Sequence, residues 1–215
     1  MSGFSAAWLE LREPYDRRAR NAAVIEAVAG ALADHSSVSI TDLACGTGST
    51  LRALSPRIKA RQNWRLTDND LSLLARTPQS SPPNLHVMTM PVDLNRDLEA
   101  ALDGPADLVT TSALLDLVSD EWLERLAVEA AARRLPVYAA LSYDGRIEMT
   151  PTDATDSAIV EAVNRHQRTD KGFGPALGPS AAAVAIAQFR ALGYSIVQGR
   201  SDWTIGTGDR EIQQE

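Results

Sequence analysis

The chain has little of several residue types that mark particular classes of protein. It contains one cysteine in 215 residues, so no internal disulfide can form, and nothing indicates an oxidising compartment. Its three histidines lack the spacing of a metal site, so no metal is expected. No apolar run is long enough to cross a bilayer, and the first residues lack a basic stretch followed by an apolar core. These absences predict a cytoplasmic protein without a membrane partner.

The composition is that of an ordinary globular protein with an acidic balance. Hydrophobic residues make up 44% and charged residues 23%, and the formal net charge is −7. A chain of 215 residues can bury one good core, which favours a single domain. The negative charge repels a phosphate backbone at long range, so a nucleic-acid partner is not expected. The oligomeric state stays open.

Residues 38–51, which read VSITDLACGTGSTL, predict a strand, a glycine turn and a helix in direct succession. The first N–H groups of a helix have no partner within the helix, and Gly46 and Gly48 let a ligand approach the backbone. This pattern is typical of a site for a nucleotide-type cofactor. The dinucleotide fingerprint needs a third glycine, and Leu51 stands in its place.

The seven residues Asp42 to Gly48 resemble the first motif of the class I S-adenosylmethionine-dependent methyltransferases, D-x-G-x-G-x-G, with Ala44 in place of the first glycine. A carboxylate before the turn suits the ammonium group of S-adenosylmethionine and repels a pyrophosphate. The resemblance implies this cofactor, with S-adenosylhomocysteine as product. It assigns cofactor contacts to Asp42, Ala44, Cys45, Gly46, Thr47 and Gly48.

The same resemblance implies further cofactor contacts, most of them at the ends of later predicted strands. Asp68, with Asn69 beside it, follows a strand at 64–67 and would accept from the ribose hydroxyls, while Asp70 is predicted to cap the next helix. Asp93 and Leu94 follow a third strand at 85–90 and would meet the adenine. The remaining cofactor candidates are Ser112, at the end of a fourth strand at 106–111, and Arg20, which would reach the cofactor carboxylate unless it is simply solvated.

Candidates for the acceptor side lie in the second half of the chain. A fifth strand at 135–142 precedes a segment, 144–178, that is rich in glycine and proline and encloses a helix at 153–168. This segment is predicted to be a substrate lid, with a solvated insertion as the alternative. His166 is the first candidate for a base, with Asp116 and Tyr143 as alternatives, and methyl transfer by positioning alone is the other option. Substrate contacts are assigned to Gln167, Asp170 and Lys171.

The remaining stretches complete the predicted fold. Residues 1–37 are predicted to be helical with Pro14 in a first turn, 79–84 a loop, 120–134 a helix capped by Ser119, and 180–192 a helix capped by Ser180 and followed by Gly193. Strands at 194–198 and 203–205 would form a terminal hairpin. The prediction is therefore a Rossmann-like, doubly wound α/β fold whose mostly parallel seven-stranded sheet ends in an antiparallel hairpin.

The predicted organisation is one methyltransferase domain. It divides into an N-terminal helical cap (1–37), a cofactor-binding core (38–143), a substrate lid (144–178) and a C-terminal helix with hairpin (179–215). The predicted function is in-line transfer of a methyl group to an oxygen or nitrogen of a small molecule. The alternatives are a non-catalytic S-adenosylmethionine-binding protein and an NAD-dependent oxidoreductase.

Overall fold

The computed structural model describes residues 4–78 and 82–214. The beginning of the predicted loop at 79–84 and the two ends of the predicted domain, residues 1–3 and 215, therefore lie outside the described residues. Helices and strands alternate along most of the chain. The helices are α1 (Ala6–Ala19), α2 (Ala22–Ala31), α3 (Ser49–Leu54), α4 (Leu71–Leu74), α5 (Leu98–Leu102), α6 (Asp120–Ala132), α7 (Asp156–Gln167) and α8 (Ala181–Ala191), and the strands are β1 (Ser37–Leu43), β2 (Arg61–Asp68), β3 (Leu85–Pro91), β4 (Leu108–Ser112) and β5 (Val137–Ala140).

The described chain forms two compact units. One consists of residues 4–112, Leu135–Leu141 and 197–214, and contains all five strands and helices α1 to α5. The other consists of Ala113–Arg134 and Ser142–Ile196, and contains α6, α7 and α8. Within the described ranges, none of the helices of either unit is long and apolar enough to span a membrane.

The sheet has five parallel strands in the order β3-β2-β1-β4-β5. Its central strands are buried on both faces, as parallel strands covered by helices must be. Ile40 and Leu43 of β1 and Leu66 of β2 are almost completely inaccessible to solvent. The predicted α/β class and parallel core are therefore confirmed, but the predicted number of seven strands is wrong.

The predicted C-terminal hairpin is also wrong. Residues 194–198 and 203–205 have no strand pairing in the described structure. Trp203 instead packs beside Trp8 and Tyr15 of α1, with ring centroids 6.5 and 5.7 Å away, and its indole N–H donates to Asp16. Trp203 is thus held by α1, whereas Val197 and Ile205 of the predicted hairpin are exposed.

Side-chain caps fix the starts of several helices. Asp70 accepts from the backbone N–H groups of Ser72 and Leu73 at the start of α4, and Ser119 accepts from Trp122 at the start of α6, as predicted. Two predictions are wrong. Pro14 lies inside α1 and not in a first turn, and Ser180 donates its hydroxyl to Leu177, so it does not cap α8 with its side chain.

Candidate functional site

In the turn after β1, every second residue from Ala44 to Gly48 has a left-handed backbone conformation. The φ angles are +50° at Ala44, +56° at Gly46 and +86° at Gly48. A glycine adopts these angles freely, whereas the Cβ of Ala44 costs about 1 kcal/mol there. The Cys45 N–H donates to the Thr67 carbonyl at 2.9 Å, which holds the turn over the end of β2. The position where the methyltransferase motif has its first glycine therefore requires a glycine-like conformation.

Asp68 joins this turn to the end of β2. Its Oδ2 accepts from the backbone N–H of Gly46 at 2.9 Å, and its Oδ1 accepts from that of Asp70 at 3.0 Å. The side chain is 9% exposed, while Asn69 next to it is exposed. Each carboxylate oxygen can accept a second hydrogen bond, so Asp68 keeps the capacity to bind a pair of hydroxyl groups.

Asp42 lies in β1 and is completely buried. Its Oδ1 accepts from the Thr110 hydroxyl at 2.6 Å, and its Oδ2 has no hydrogen-bond partner among the described residues. Burial raises the pKa of Asp42 to about 7, although the Thr110 hydrogen bond and the positive charge of Arg20 lower it. Both protonation states are therefore populated near neutral pH, and one oxygen lacks a donor.

Arg20 is buried beside this carboxylate, just past the end of α1, with 6% of its surface exposed. Its guanidinium donates to the Tyr138 hydroxyl at 3.2 Å and to the hydroxyls of Thr50 and Ser112 at 3.3 Å. In the part of the chain that the structure describes, no carboxylate lies within 4 Å of it. The guanidinium is therefore held by hydroxyl groups and makes no direct ion pair with the described residues, although its charge acts on Asp42.

The loop after β3 brings the other two predicted cofactor residues to the same edge of the sheet. Val92 donates its N–H to the Asp68 carbonyl at 2.9 Å, which fixes this loop at the end of β2. Asp93 is exposed and accepts from the Asn95 N–H, while Leu94 is buried. All the predicted cofactor residues thus belong to one unit and, apart from Arg20, lie in or just after strands of one parallel sheet.

The predicted acceptor-side residues belong to the other unit. His166 is exposed, with its Nε2 3.2 Å from the Lys171 ammonium, and Asp170 accepts from the N–H groups of Gly172 and Gly174. Tyr143 donates to Asn164 at 2.7 Å, and burial, followed by the nearby Asp144, raises the pKa of Tyr143. His166 and Lys171 are thus in contact, while Asp170 orders a glycine turn.

Two further acceptor-side predictions lie near one glycine. Asp116 is buried, and its carbonyl accepts from the Gly178 N–H at 3.0 Å. A Cβ on Gly178 would come within 3.1 Å of the backbone of Gln167, so a larger residue does not fit there without movement. Gly178 therefore connects the Asp116 loop with the end of α7. The roles of these residues in catalysis and substrate binding stay predictions.

No protein-family model matches the chain, and no curated protein matches it by sequence. Solved structures resemble its fold. The methyltransferase CalO1 of calicheamicin biosynthesis, with S-adenosylhomocysteine bound, has a TM-score of 0.54 at 19% identity, over 91% of this chain and 53% of that one. The cyclopropane synthase MmaA2 from Mycobacterium tuberculosis has a TM-score of 0.54 at 12% identity, over 82% of this chain and 61% of that one.

The N-terminal domain of EvdMO1, also with S-adenosylhomocysteine bound, has a TM-score of 0.50 at 18% identity, over 88% of this chain and 75% of that one. The chain shares the Rossmann-like fold of these structures. It spans little more than half the length of the CalO1 and MmaA2 structures.

Three polar residues beside Asp42 and Arg20 were not predicted from the sequence. They are Thr110, Tyr138 and Thr50. Thr110 of β4 lies between Asp42 of β1 and Tyr138 of β5, so Asp42, Thr110 and Tyr138 form a polar row across one face of the sheet. Thr50 of α3 completes the group through Arg20 and Ser112. Only the strand order brings these residues together, and no local pattern marks them.

Proposed function

We propose that the protein transfers a methyl group from S-adenosylmethionine to an oxygen or nitrogen of a small-molecule acceptor by in-line displacement. The main support comes from Arg20 and Asp42, which are not paired with each other. One is a buried cation with no carboxylate within 4 Å in the described chain, and the other is a buried acid with a vacant acceptor oxygen. An α-amino acid group, such as the methionine end of this cofactor, carries the complementary charges. The methyltransferase fold and the S-adenosylhomocysteine bound to CalO1 and EvdMO1 support the same proposal.

The other predicted cofactor residues fit the rest of the molecule. Asp68 would accept from the ribose hydroxyls with the acceptor capacity that its two backbone contacts leave. Asp93, which is exposed after β3, would accept from the adenine amine, and Leu94 would pack against the ring. Ser112 would share Arg20 with the cofactor carboxylate. Arg20 and Asp42 would thereby fix one end of the cofactor and Asp93 the other.

When bound, S-adenosylmethionine supplies a methyl group made electrophilic by its sulfonium. The chain's task is then to hold an acceptor in line and, for an acceptor that must lose a proton, to remove it. We keep His166 as the proposed base. While Lys171 donates to Nε2, the proton of a neutral imidazole stays on Nδ1, so His166 becomes a base only after Lys171 releases it. The raised pKa of Tyr143 makes its phenolate a weaker alternative near neutral pH.

Asp116 remains the other proposed base, and Gln167, Asp170 and Lys171 remain the proposed acceptor contacts. All of them lie in the unit formed by Ala113–Arg134 and Ser142–Ile196. We therefore propose that this unit carries the acceptor specificity. An acceptor that is already deprotonated would need no base, and positioning alone would then suffice.

Two measurements test the proposal. The first compares the melting temperature with S-adenosylhomocysteine and with NAD, since a ligand stabilises the fold that binds it. Stabilisation by S-adenosylhomocysteine alone is expected, and stabilisation by NAD alone would indicate the oxidoreductase. The second follows isotope from methyl-labelled S-adenosylmethionine into a metabolite extract. Tight cofactor binding without any transfer would indicate a non-catalytic binding protein.

A matched pair of variants tests the proposed contact with the amino acid end of the cofactor. Arg20→Gln removes the buried cation, whereas Arg61→Gln removes an exposed arginine at the start of β2. Loss of S-adenosylhomocysteine affinity in the first variant and not in the second is the expected result. Equal affinity in both would remove the main support for the proposal.

A further inference from the structure

A cavity of about 300 Å³ opens between the α1–α2 corner and the end of α3. It lies in the unit that contains the sheet. Four of its lining residues are arginines, two from the end of α1 and two from α3 and the short 3₁₀ turn that follows it. The lining consists of Arg17, Arg20, Ile25, Arg52, Ala53, Pro56 and Arg57.

Two of these arginines, Arg52 and Arg17, are already paired with one acid. Glu13 accepts from Arg52 Nε at 2.7 Å and from Arg52 Nη2 at 2.6 Å, and it lies 3.4 Å from Arg17. Burial would raise the pKa of Glu13, but Arg52 and Arg17 outweigh it and the pKa is lowered. Glu13 therefore stays ionised and balances one unit of the positive charge that Arg52 and Arg17 carry together.

The residues that the structure describes compensate only part of this positive charge. The four arginines outnumber the two nearby acids, Glu13 and Asp42, in a chain whose net charge is −7. Arg20 is buried and bonded only to hydroxyl groups, and Arg57 is exposed without an ion pair in the described chain. Like charges held together in this way repel one another unless an anion lies between them.

We propose that this cavity binds the phosphate group of a small molecule, either inorganic phosphate or a phosphomonoester. A dianion with three acceptor oxygens matches several guanidinium groups better than a single carboxylate does. The volume lies at the lower end of the range for ligand pockets, which suits a small anion and not a polymer. The site does not depend on the proposed function, although it shares Arg20 with the proposed cofactor carboxylate contact.

The test uses the full chain and the double variant Arg17→Gln with Arg57→Gln. Both residues are exposed and neither belongs to the proposed cofactor contacts, so folding and S-adenosylhomocysteine affinity should be unchanged. Titration calorimetry measures binding of inorganic phosphate and, separately, of glycerol phosphate, with sodium chloride at equal ionic strength as the blank. Arg61→Gln, an exposed arginine outside the cavity, is the matched control.

We expect the unmodified protein to bind at least one of the two phosphate compounds saturably. The affinity should fall roughly tenfold or more in the double variant and stay unchanged in the control. Preference for glycerol phosphate over inorganic phosphate would identify a phosphomonoester ligand, and the reverse would identify the free ion. No saturable binding of either compound, or an equal loss in the Arg61 control, would overturn the proposal. Unchanged S-adenosylhomocysteine binding in the double variant keeps this outcome separate from that of the proposed function.

Discussion

The Thr110 hydroxyl donates a 2.6 Å hydrogen bond to Asp42 Oδ1 inside the sheet. Thr110 and Asp42 are register partners on neighbouring parallel strands, so their side chains share one face. The bond satisfies one carboxylate oxygen and leaves the other without a donor among the described residues. A buried acid in this condition responds to pH and to any ligand that brings a positive charge.

The pH dependence of stability should reveal Asp42. Burial raises the pKa of Asp42 to about 7 in the folded protein, well above the ordinary range of an aspartate. The stabilisation that its protonated carboxyl contributes is therefore complete below about pH 4 and is lost as pH rises through 7. The Asp42→Asn variant does not ionise there. Relative to the unmodified protein, its free energy of unfolding should therefore rise by about 4 kcal/mol between pH 4 and pH 8.

Urea unfolding at a series of pH values measures this difference. Any fixed cost of the asparagine amide is independent of pH and cancels in the comparison. Asp34→Asn, at an exposed position, is the control and should give a flat difference. An equally flat difference for Asp42→Asn would mean that Asp42 does not titrate near neutral pH.

Binding of S-adenosylhomocysteine should depend on the same ionisation. If Asp42 receives the ligand's ammonium group, the affinity should rise several-fold between about pH 6 and pH 8, because the carboxylate forms over this range. The Asp42→Asn variant should bind more weakly and show no such rise. Calorimetry at fixed ionic strength measures both curves, and parallel curves for the two proteins would count against this contact.

Replacing Ala44 by glycine should stabilise the turn after β1. Ala44 has φ +50°, where a Cβ is strained, so Ala44→Gly should raise the free energy of unfolding by up to about 1 kcal/mol after the entropy cost of glycine. Ala154→Gly, at an exposed turn position without positive φ, is the control and should be neutral or slightly destabilising. Thermal unfolding measures both. A loss of stability at Ala44 would show that the turn does not hold the observed conformation.

Trp203 should contribute to stability although it is not part of a strand. It contacts Trp8 and Tyr15, lies under the Arg12 guanidinium at 5.1 Å and donates to Asp16. Because the ring is half-buried, Trp203→Ala should lower the free energy of unfolding by about 2 kcal/mol, less than for a fully buried tryptophan. Trp203→Phe keeps a ring and loses the N–H donor, so its free energy of unfolding should lie between those of the unmodified protein and Trp203→Ala. Chemical denaturation measures all three. No loss in Trp203→Ala would contradict this packing.

Local patterns are sufficient to predict the parallel core. Strands β1 and β4 are short runs rich in apolar and β-branched residues that end near a turn signal, and the strand, turn and helix at 38–51 follow directly from Gly46 and Gly48. Strand β2 is mostly polar, and only its second half, 64–67, was predicted. The terminal hairpin was predicted from a local pattern alone, and this is why the prediction was wrong. An alternating segment such as 203–205 satisfies the strand pattern, but Trp203 finds its partners on α1, and a local pattern carries no information about such a distant contact.

The candidate site was only partly predictable. Asp42 and Asp68 can be recognised in the sequence because Asp42 directly precedes the glycine turn and Asp68 comes at the end of the next predicted strand. Thr110 and Tyr138 do not, since their approach to Asp42 depends on the strand order β1-β4-β5. The second structural role of Asp68, accepting from the Gly46 N–H, likewise depends on how the turn folds back over β2.

The decisive measurement is the affinity of S-adenosylhomocysteine for the double variant Asp42→Asn with Asp68→Asn, determined by calorimetry at pH 8 beside the unmodified protein. Circular dichroism first confirms that the variant is folded, and Asp34→Asn with Asp97→Asn, two exposed positions, serves as the charge-matched control. We expect the control to bind normally and the double variant to lose affinity by roughly a hundredfold, about tenfold for each charged contact removed. Unchanged affinity in the folded double variant would contradict the proposal that these carboxylates bind the cofactor.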